Sequence, residues 1–257
     1  MVYYILLKEE RLMKIIPNIP SFIKLIHCLK YLNKHKKAIE NAKAAGDLEK
    51  EREHILSATS LWGPMVFKMF NSKVNVEGLE NLPEEGPVVF VGNHQGYADI
   101  IAYCAAFKKF QFGFIAKDEL AKVPLYGPWI ERIRSVFIER DDPRASLKAI
   151  NKGIEYINQG FSMVIFPEGT RSKGPEAGEF KKGALKLATK PGVPIIPVSL
   201  EGSYKFFEET GKITPAEVTL LVHPPIETKG LDRKEEKALT EKVEKIILDG
   251  VKKLQSR

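Results

Sequence analysis

The sequence predicts an α/β fold: a largely parallel, mixed sheet flanked by helices, with an N-terminal two-helix hairpin. Two observations predict the sheet and its helices. Short apolar, β-branched runs recur through the chain from residue 73 onward, and segments of helical period separate them. A third observation predicts the hairpin: residues 1–72 show helical spacing without a strand-like run.

After Pro17 and Pro20, the residues Phe22, Ile23, Leu25, Ile26, Leu29 and Leu32 recur at helical spacing, and the helix runs on through a charged stretch to Ala45. Gly46-Asp47 then reads as a C-terminal glycine followed by an N-cap, and a second helix extends from Leu48 to about Phe70. An antiparallel return brings the apolar parts of both helices to one tip, where Phe22, Ile23, Ile26 and Leu29 join Leu61, Trp62, Met65, Phe67, Met69 and Phe70. Twelve Lys and Arg stand against seven Asp and Glu in residues 1–72. An apolar, basic tip of this kind suits a membrane interface; the alternative is that it packs on the α/β domain. The expected organisation is therefore an interfacial hairpin, 1–72, and an α/β domain, 73–257.

In that second part, strands are expected at residues 74–76, 88–91, 112–116, 136–138, 163–166, 195–200 and 218–222, and helices at about 100–107, 145–158, 183–189 and 233–254. In parallel sheets ligands bind beyond the carboxyl ends of the strands. Three such ends carry reactive residues: His94 to Asp99, Glu139-Arg140, and Pro167 to Arg171.

Composition bounds the partners. A chain of 257 residues that is 44% hydrophobic can bury a substantial core, and its net charge of +7 favours an anionic partner. Two cysteines, Cys28 and Cys104, lie in no metal-type spacing, and the default is a reduced compartment. No secretory signal is evident, and no apolar run reaches the roughly 20 residues of a spanning helix. The five histidines form no His-x-x-x-His or Cys/His cluster, so no metal is expected. No Gly-x-Ser-x-Gly elbow occurs, and residues 178–184 have the glycine spacing of a P-loop without its Lys-Ser/Thr.

His94 and Asp99 follow a buried strand five residues apart. An imidazole there can remove a hydroxyl proton while the carboxylate fixes its tautomer; equally, Asp99 can cap a helix beside an ordinary loop histidine. Arg140 could fork onto a phosphate or sit in a solvated turn. Phe166-Pro167-Glu168-Gly169-Thr170-Arg171-Ser172 offers an acceptor, a close backbone approach and a phosphate donor, or a plain turn. Val193-Pro194-Ile195-Ile196-Pro197 brackets a strand with prolines and is read as structural.

Together these four segments resemble the glycerophospholipid acyltransferase family, most closely its bacterial 1-acyl-sn-glycerol-3-phosphate acyltransferases. His94-Gln95-Gly96-Tyr97-Ala98-Asp99 matches its His-x4-Asp motif, and Val136-Phe137-Ile138-Glu139-Arg140, the Pro167-Glu168-Gly169-Thr170-Arg171 run and the proline-bracketed strand come after it in order. The resemblance implies that His94 deprotonates a glycerol hydroxyl with Asp99 orienting it. It also implies that Arg140, with Arg171 and Lys117, holds a phosphate, and that Glu168 and Gly169 position the glycerol. The implied reaction moves an acyl group directly from an acyl carrier protein or coenzyme A thioester to the 2-hydroxyl of lysophosphatidic acid, giving phosphatidic acid without an acyl-enzyme or a cofactor. Alternative acceptors are glycerol 3-phosphate, a lyso-ornithine lipid or another lysophospholipid; a non-catalytic lipid-binding protein is the reading from another class. The expected setting is peripheral, on an anionic membrane surface at the cytoplasmic face, with no nucleic acid as partner.

Overall fold

A computed structural model describes residues 18–139, 142–181 and 183–257. The hairpin consists of α1 (Ile19–Ala45) and α2 (Leu48–Met69). Gly46 takes the left-handed conformation that ends α1 (φ 70°), and the Asp47 carboxylate accepts the Lys50 N–H at 3.1 Å to start α2. The helices return on one another so that Cys28 Sγ lies 3.5 Å from Met69 Sδ.

Seven strands complete one sheet: β1 (Lys73–Glu77), β2 (Val89–Gly92), β3 (Phe112–Lys117), β4 (Val136–Ile138), β5 (Ser162–Ile165), β6 (Ile195–Glu201) and β7 (Glu217–Val222). Their order is β1-β7-β6-β2-β5-β3-β4. From β6 to β4 all pairings are parallel; β7 lies antiparallel to β6, and β1 parallel to β7. The connecting helices are α3 (Ala98–Ala106), α4 (Tyr126–Arg132), α5 (Pro143–Asn158), α6 (Lys186–Thr189) and α7 (Arg233–Gln255).

The pleat sends alternate residues into two cores. Val88 and Phe90, with Val164, Ile196 and Val198, face α1, α2 and α3; Val89 and Val91, with Met163, Ile165 and Ile195, face α5, α6 and α7. Phe90 centres an aromatic cluster on the first side, stacked on Phe107 at 4.7 Å between ring centroids and met edge-on by Tyr103, Phe110 and Phe112. The hairpin belongs to this core. Gly63 lets α2 lie against α3, since a β-carbon there would stand 2.5 Å from the Ala105 nitrogen.

This packing corrects part of the expected membrane tip. Trp62, Phe67 and Phe70 are buried in the core, where α2 meets α3 and the sheet, and Phe70 abuts Phe206 edge-on. Leu29, Met65 and Met69 pack partly against the same core. Phe22, Ile23, Ile26 and Leu61 remain exposed. Helix α4 is not among the helices expected from the sequence; its Pro128 falls in the first turn, where no intrahelical N–H is needed. The expected helix at 183–189 is shorter, with α6 starting only at Lys186.

A buried ion pair fastens the hairpin to the sheet. Arg134 donates from Nε and Nη2 to the two Glu51 oxygens, both at 2.6 Å, and its guanidinium lies 5.0 Å and 4.8 Å from the ring centroids of Tyr156 and Phe161. Glu51 is fully buried. Glu51→Ala would strand the guanidinium without its partner. It should lower the unfolding free energy by about 3–5 kcal/mol in a urea titration; a loss near zero would mean that the pair contributes nothing to docking the hairpin.

Candidate active site

The site forms where the carboxyl ends of β5, β2 and β6 lie side by side. Its first part is the loop after β2. Asn93 is buried and pairs with Leu200 of β6, donating from Nδ2 to the carbonyl and accepting the N–H at Oδ1, both at 2.8 Å. This holds His94 at the strand end. The loop after β5 zips to it: the Ser172 N–H donates to the His94 carbonyl at 2.8 Å and the Lys173 N–H to the Gln95 carbonyl at 3.1 Å. The His94 ring stacks on Phe166, with centroids 4.3 Å apart and planes 11° apart.

His94 and Asp99 meet. Nδ1 of the imidazole lies 2.5 Å from Oδ2 of Asp99. Asp99 stands in the first turn of α3 and is fully buried, and it also accepts the Gly96 N–H at Oδ2 (3.1 Å) and the Ser203 hydroxyl at Oδ1. A carboxylate can only accept, so Nδ1 carries the hydrogen and Nε2 keeps its lone pair. The carboxylate therefore does more than cap a helix: it orients the ring.

His94 lines a cavity of about 250 Å³ with Tyr97, Ile100, Phe114, Lys117, Phe166, Arg171 and Lys173. The structure thus brings Lys117 and Arg171 to the cavity that His94 enters. Lys117 is half-exposed and pairs with Glu119 at 2.8 Å. Arg171 donates from Nη1 to Glu208 at 2.7 Å, and its guanidinium lies 3.6 Å from the centroid of the Tyr97 ring. Arg140 lies outside the described residues.

Glu168 and Gly169 both lie in the loop after β5. The Glu168 carboxylate is buried: Oε1 accepts the His94 N–H at 2.6 Å and Oε2 the Gly178 N–H at 2.7 Å. Burial pushes its carboxyl above the usual range, against the pull of those two bonds. It is a strut beneath the His94 loop. Gly169 takes φ 72° and admits Lys181, whose Nζ would stand 2.8 Å from a β-carbon there. It lines a separate groove of about 260 Å³ beside Ile150, Ile165 and Lys186; Ile115 and Phe166 line both spaces. The proline-bracketed strand is core sheet, with Pro197 opposite Val91.

Sequence reasoning missed Ser203 and Glu208. Both come after β6, whose carboxyl end carries Glu201-Gly202-Ser203; the strand-end rule that flagged the loops after β2 and β5 applies to this end too. Cys28 and Cys104 are free and buried, and burial pushes the Cys104 thiol up to about 12. Among the described residues no helix is long and apolar enough to cross a membrane.

The mostly parallel sheet thus carries a buried His–Asp pair in the His-x4-Asp spacing, facing a cavity that also holds cations. A family model described as Acyltransferase matches residues 73–201, and the chain belongs to that family. It is 33% identical over 185 residues to a 1-acyl-sn-glycerol-3-phosphate acyltransferase of Borreliella burgdorferi, with 72% of each chain covered. It is 37% identical over 169 residues to the chloroplastic 1-acyl-sn-glycerol-3-phosphate acyltransferase LPAT1 of Arabidopsis thaliana, covering 65% of this chain and 47% of that protein. The chain thus spans about half the length of the plant relatives it matches. Among solved structures, that of the 1-acyl-sn-glycerophosphate acyltransferase PlsC from Thermotoga maritima is similar, with a TM-score of 0.72, 29% identity, and coverage of 94% of this chain and 99% of that one.

The pairing of His94 with Asp99 can be read directly. In ¹⁵N-histidine NMR, the neutral His94 ring should show the Nδ1–H tautomer, and Asp99→Asn should convert it to Nε2–H. An unchanged ¹⁵N pattern in the variant would mean that Asp99 does not set the tautomer.

Proposed function

We propose that this chain is a 1-acylglycerol-3-phosphate O-acyltransferase. It transfers a fatty acyl group from an acyl carrier protein or coenzyme A thioester to the sn-2 hydroxyl of 1-acyl-sn-glycerol-3-phosphate, giving phosphatidic acid. The observation that carries this reading is His94, braced by a buried Asp99 and opening onto the same cavity as Arg171, Lys117 and Lys173. A base and a set of cations in one cavity suit an acceptor with a hydroxyl near a phosphate. The names of the relatives support the same acceptor.

Each residue then has a task. Arg171, with Lys117 and Lys173, binds the phosphate. Nε2 of His94 takes the proton of the sn-2 hydroxyl as that oxygen forms its bond to the thioester carbonyl carbon. The carbonyl π pair moves to oxygen, then returns as the C–S bond breaks, and the leaving thiolate takes the proton back from His94. Asp99 stabilises the imidazolium between the two transfers. The thioester is already activated, so the step requires neither an acyl-enzyme nor a cofactor.

The hairpin supplies a route to lipid. Ile19, Phe22, Ile23 and Ile26 expose apolar surface on one face of α1, opposite the buried Cys28 and Leu32, with Lys24 and Lys30 exposed on the same helix. An apolar face flanked by lysines suits peripheral docking on an anionic bilayer, which we place at the cytoplasmic face.

His94→Ala should lower acyl transfer by about 10²–10⁴-fold while binding of 1-acylglycerol-3-phosphate, followed by calorimetry, persists; undiminished turnover would sink the mechanism. A Phe22→Ser, Ile23→Asp, Ile26→Asp variant changes only exposed side chains. It should partition onto phosphatidylglycerol vesicles about tenfold less than the parent; equal partitioning would remove α1 from the docking surface.

A further inference from the structure

The loop after β6 places a second buried carboxylate against the site, and the reading of His94 as base does not use it. Glu208 has a side chain only 3% exposed. A single oxygen, Oε1, accepts both the Tyr97 N–H at 2.9 Å and Nη1 of Arg171 at 2.7 Å. Tyr97 lies between His94 and Asp99 in sequence, so this oxygen ties the histidine loop to the arginine of the loop after β5. The Tyr97 ring lies beneath the guanidinium at 3.6 Å and is itself backed by Phe207, with centroids 5.9 Å apart. Gly96 makes room for the carboxylate: a β-carbon there would stand 2.5 Å from Oε2 of Glu208.

One oxygen of this carboxylate is matched to donors: Oε1 meets the Tyr97 N–H and Arg171, while Oε2 is buried without a hydrogen-bond partner among the described residues. Burial pushes the Glu208 carboxyl upward, with the Tyr97 N–H and Arg171 acting against that push. An amide would satisfy the Tyr97 N–H without the cost of burying a charge, so the anion is matched to Arg171. An arginine held by a carboxylate on one N–H and by a ring on its face keeps its other donors for a ligand in a fixed direction. It also loses little freedom when that ligand arrives.

We propose that Glu208 is a positioning residue that sets affinity for the acceptor's phosphate by holding Arg171 in its binding geometry. This rests on the reading of Arg171 as a phosphate contact, and the test separates the two. Steady-state kinetics would be measured on the full chain for Glu208→Gln, Arg171→Ala and the double variant. The acceptor would be 1-acyl-sn-glycerol-3-phosphate, varied at saturating acyl thioester and then the reverse. Glu208→Gln keeps an acceptor for the Tyr97 N–H and removes the charge. It should raise the acceptor KM about tenfold, with the loss in KM rather than kcat and the thioester KM unmoved. The double variant should match Arg171→Ala, since the two residues act through one contact.

If Arg171→Ala raises the acceptor KM but Glu208→Gln does not, the positioning role is overturned and the phosphate reading stands. If Arg171→Ala leaves that KM unchanged, the phosphate reading falls and takes the proposal with it. Equal losses for acceptor and thioester, or additive effects in the double variant, would reduce Glu208 to a general structural part and overturn the proposal.

Discussion

The buried carboxylate of Asp99 is the constraint on which the site depends. It takes a hydrogen bond from the His94 ring, one from the Gly96 backbone and one from the Ser203 hydroxyl. A carboxylate with no water to solvate it must find its donors in the protein, or it neutralises by taking up a proton. These donors come from the loops at the ends of two neighbouring strands, and they converge on the first turn of a helix. Satisfying Asp99 therefore fixes β2, β6 and α3 relative to one another, and the histidine tautomer is settled by the same contacts.

The other acidic residues of the region repeat this logic. Glu168 spans from the His94 backbone to Gly178, and Glu208 from Tyr97 to Arg171. Each carboxylate joins two segments far apart in sequence, through bonds that only the assembled loops can offer and that act against the cost of burial. A loop held this way stays in register without a packed core of its own. The imidazole then faces the cavity together with Lys117, Arg171 and Lys173, and with Glu119, which pairs with Lys117.

The hairpin has two unlike faces. Its inner face completes the core around Phe90 and is pinned by the Glu51–Arg134 pair, and its outer face leaves Phe22, Ile23 and Ile26 uncovered. Helical period divides these faces, since residues three and four apart share a side. The close approach at Gly63 and the ion pair fix how the uncovered side lies against the catalytic loops. Removing the hairpin would open the core, so its surface and its packing are separable only residue by residue.

Much of this was legible in the chain. The seven strands and the hairpin turn at Gly46-Asp47 were readable from hydrophobic period and capping chemistry, because those signals are local. The spacing of His94 and Asp99, with Arg171 downstream, singled out the candidate groups through a family resemblance. What the chain could not carry was adjacency. That β2 lies between β5 and β6 decides that Glu168 reaches the His94 backbone and Ser203 reaches Asp99, more than 70 residues away in sequence. The reversal of β1 and β7, the burial of Trp62, Phe67 and Phe70, and the pairing of Glu208 with Arg171 belong to the same kind of fact. The sequence by itself determined which groups could react and which segments would be helix or strand, because period and residue chemistry are properties of neighbours. Only the tertiary structure decided that Glu168 reaches the His94 backbone, Ser203 reaches Asp99 and Glu208 reaches Arg171, because that depends on which strand ends stand side by side.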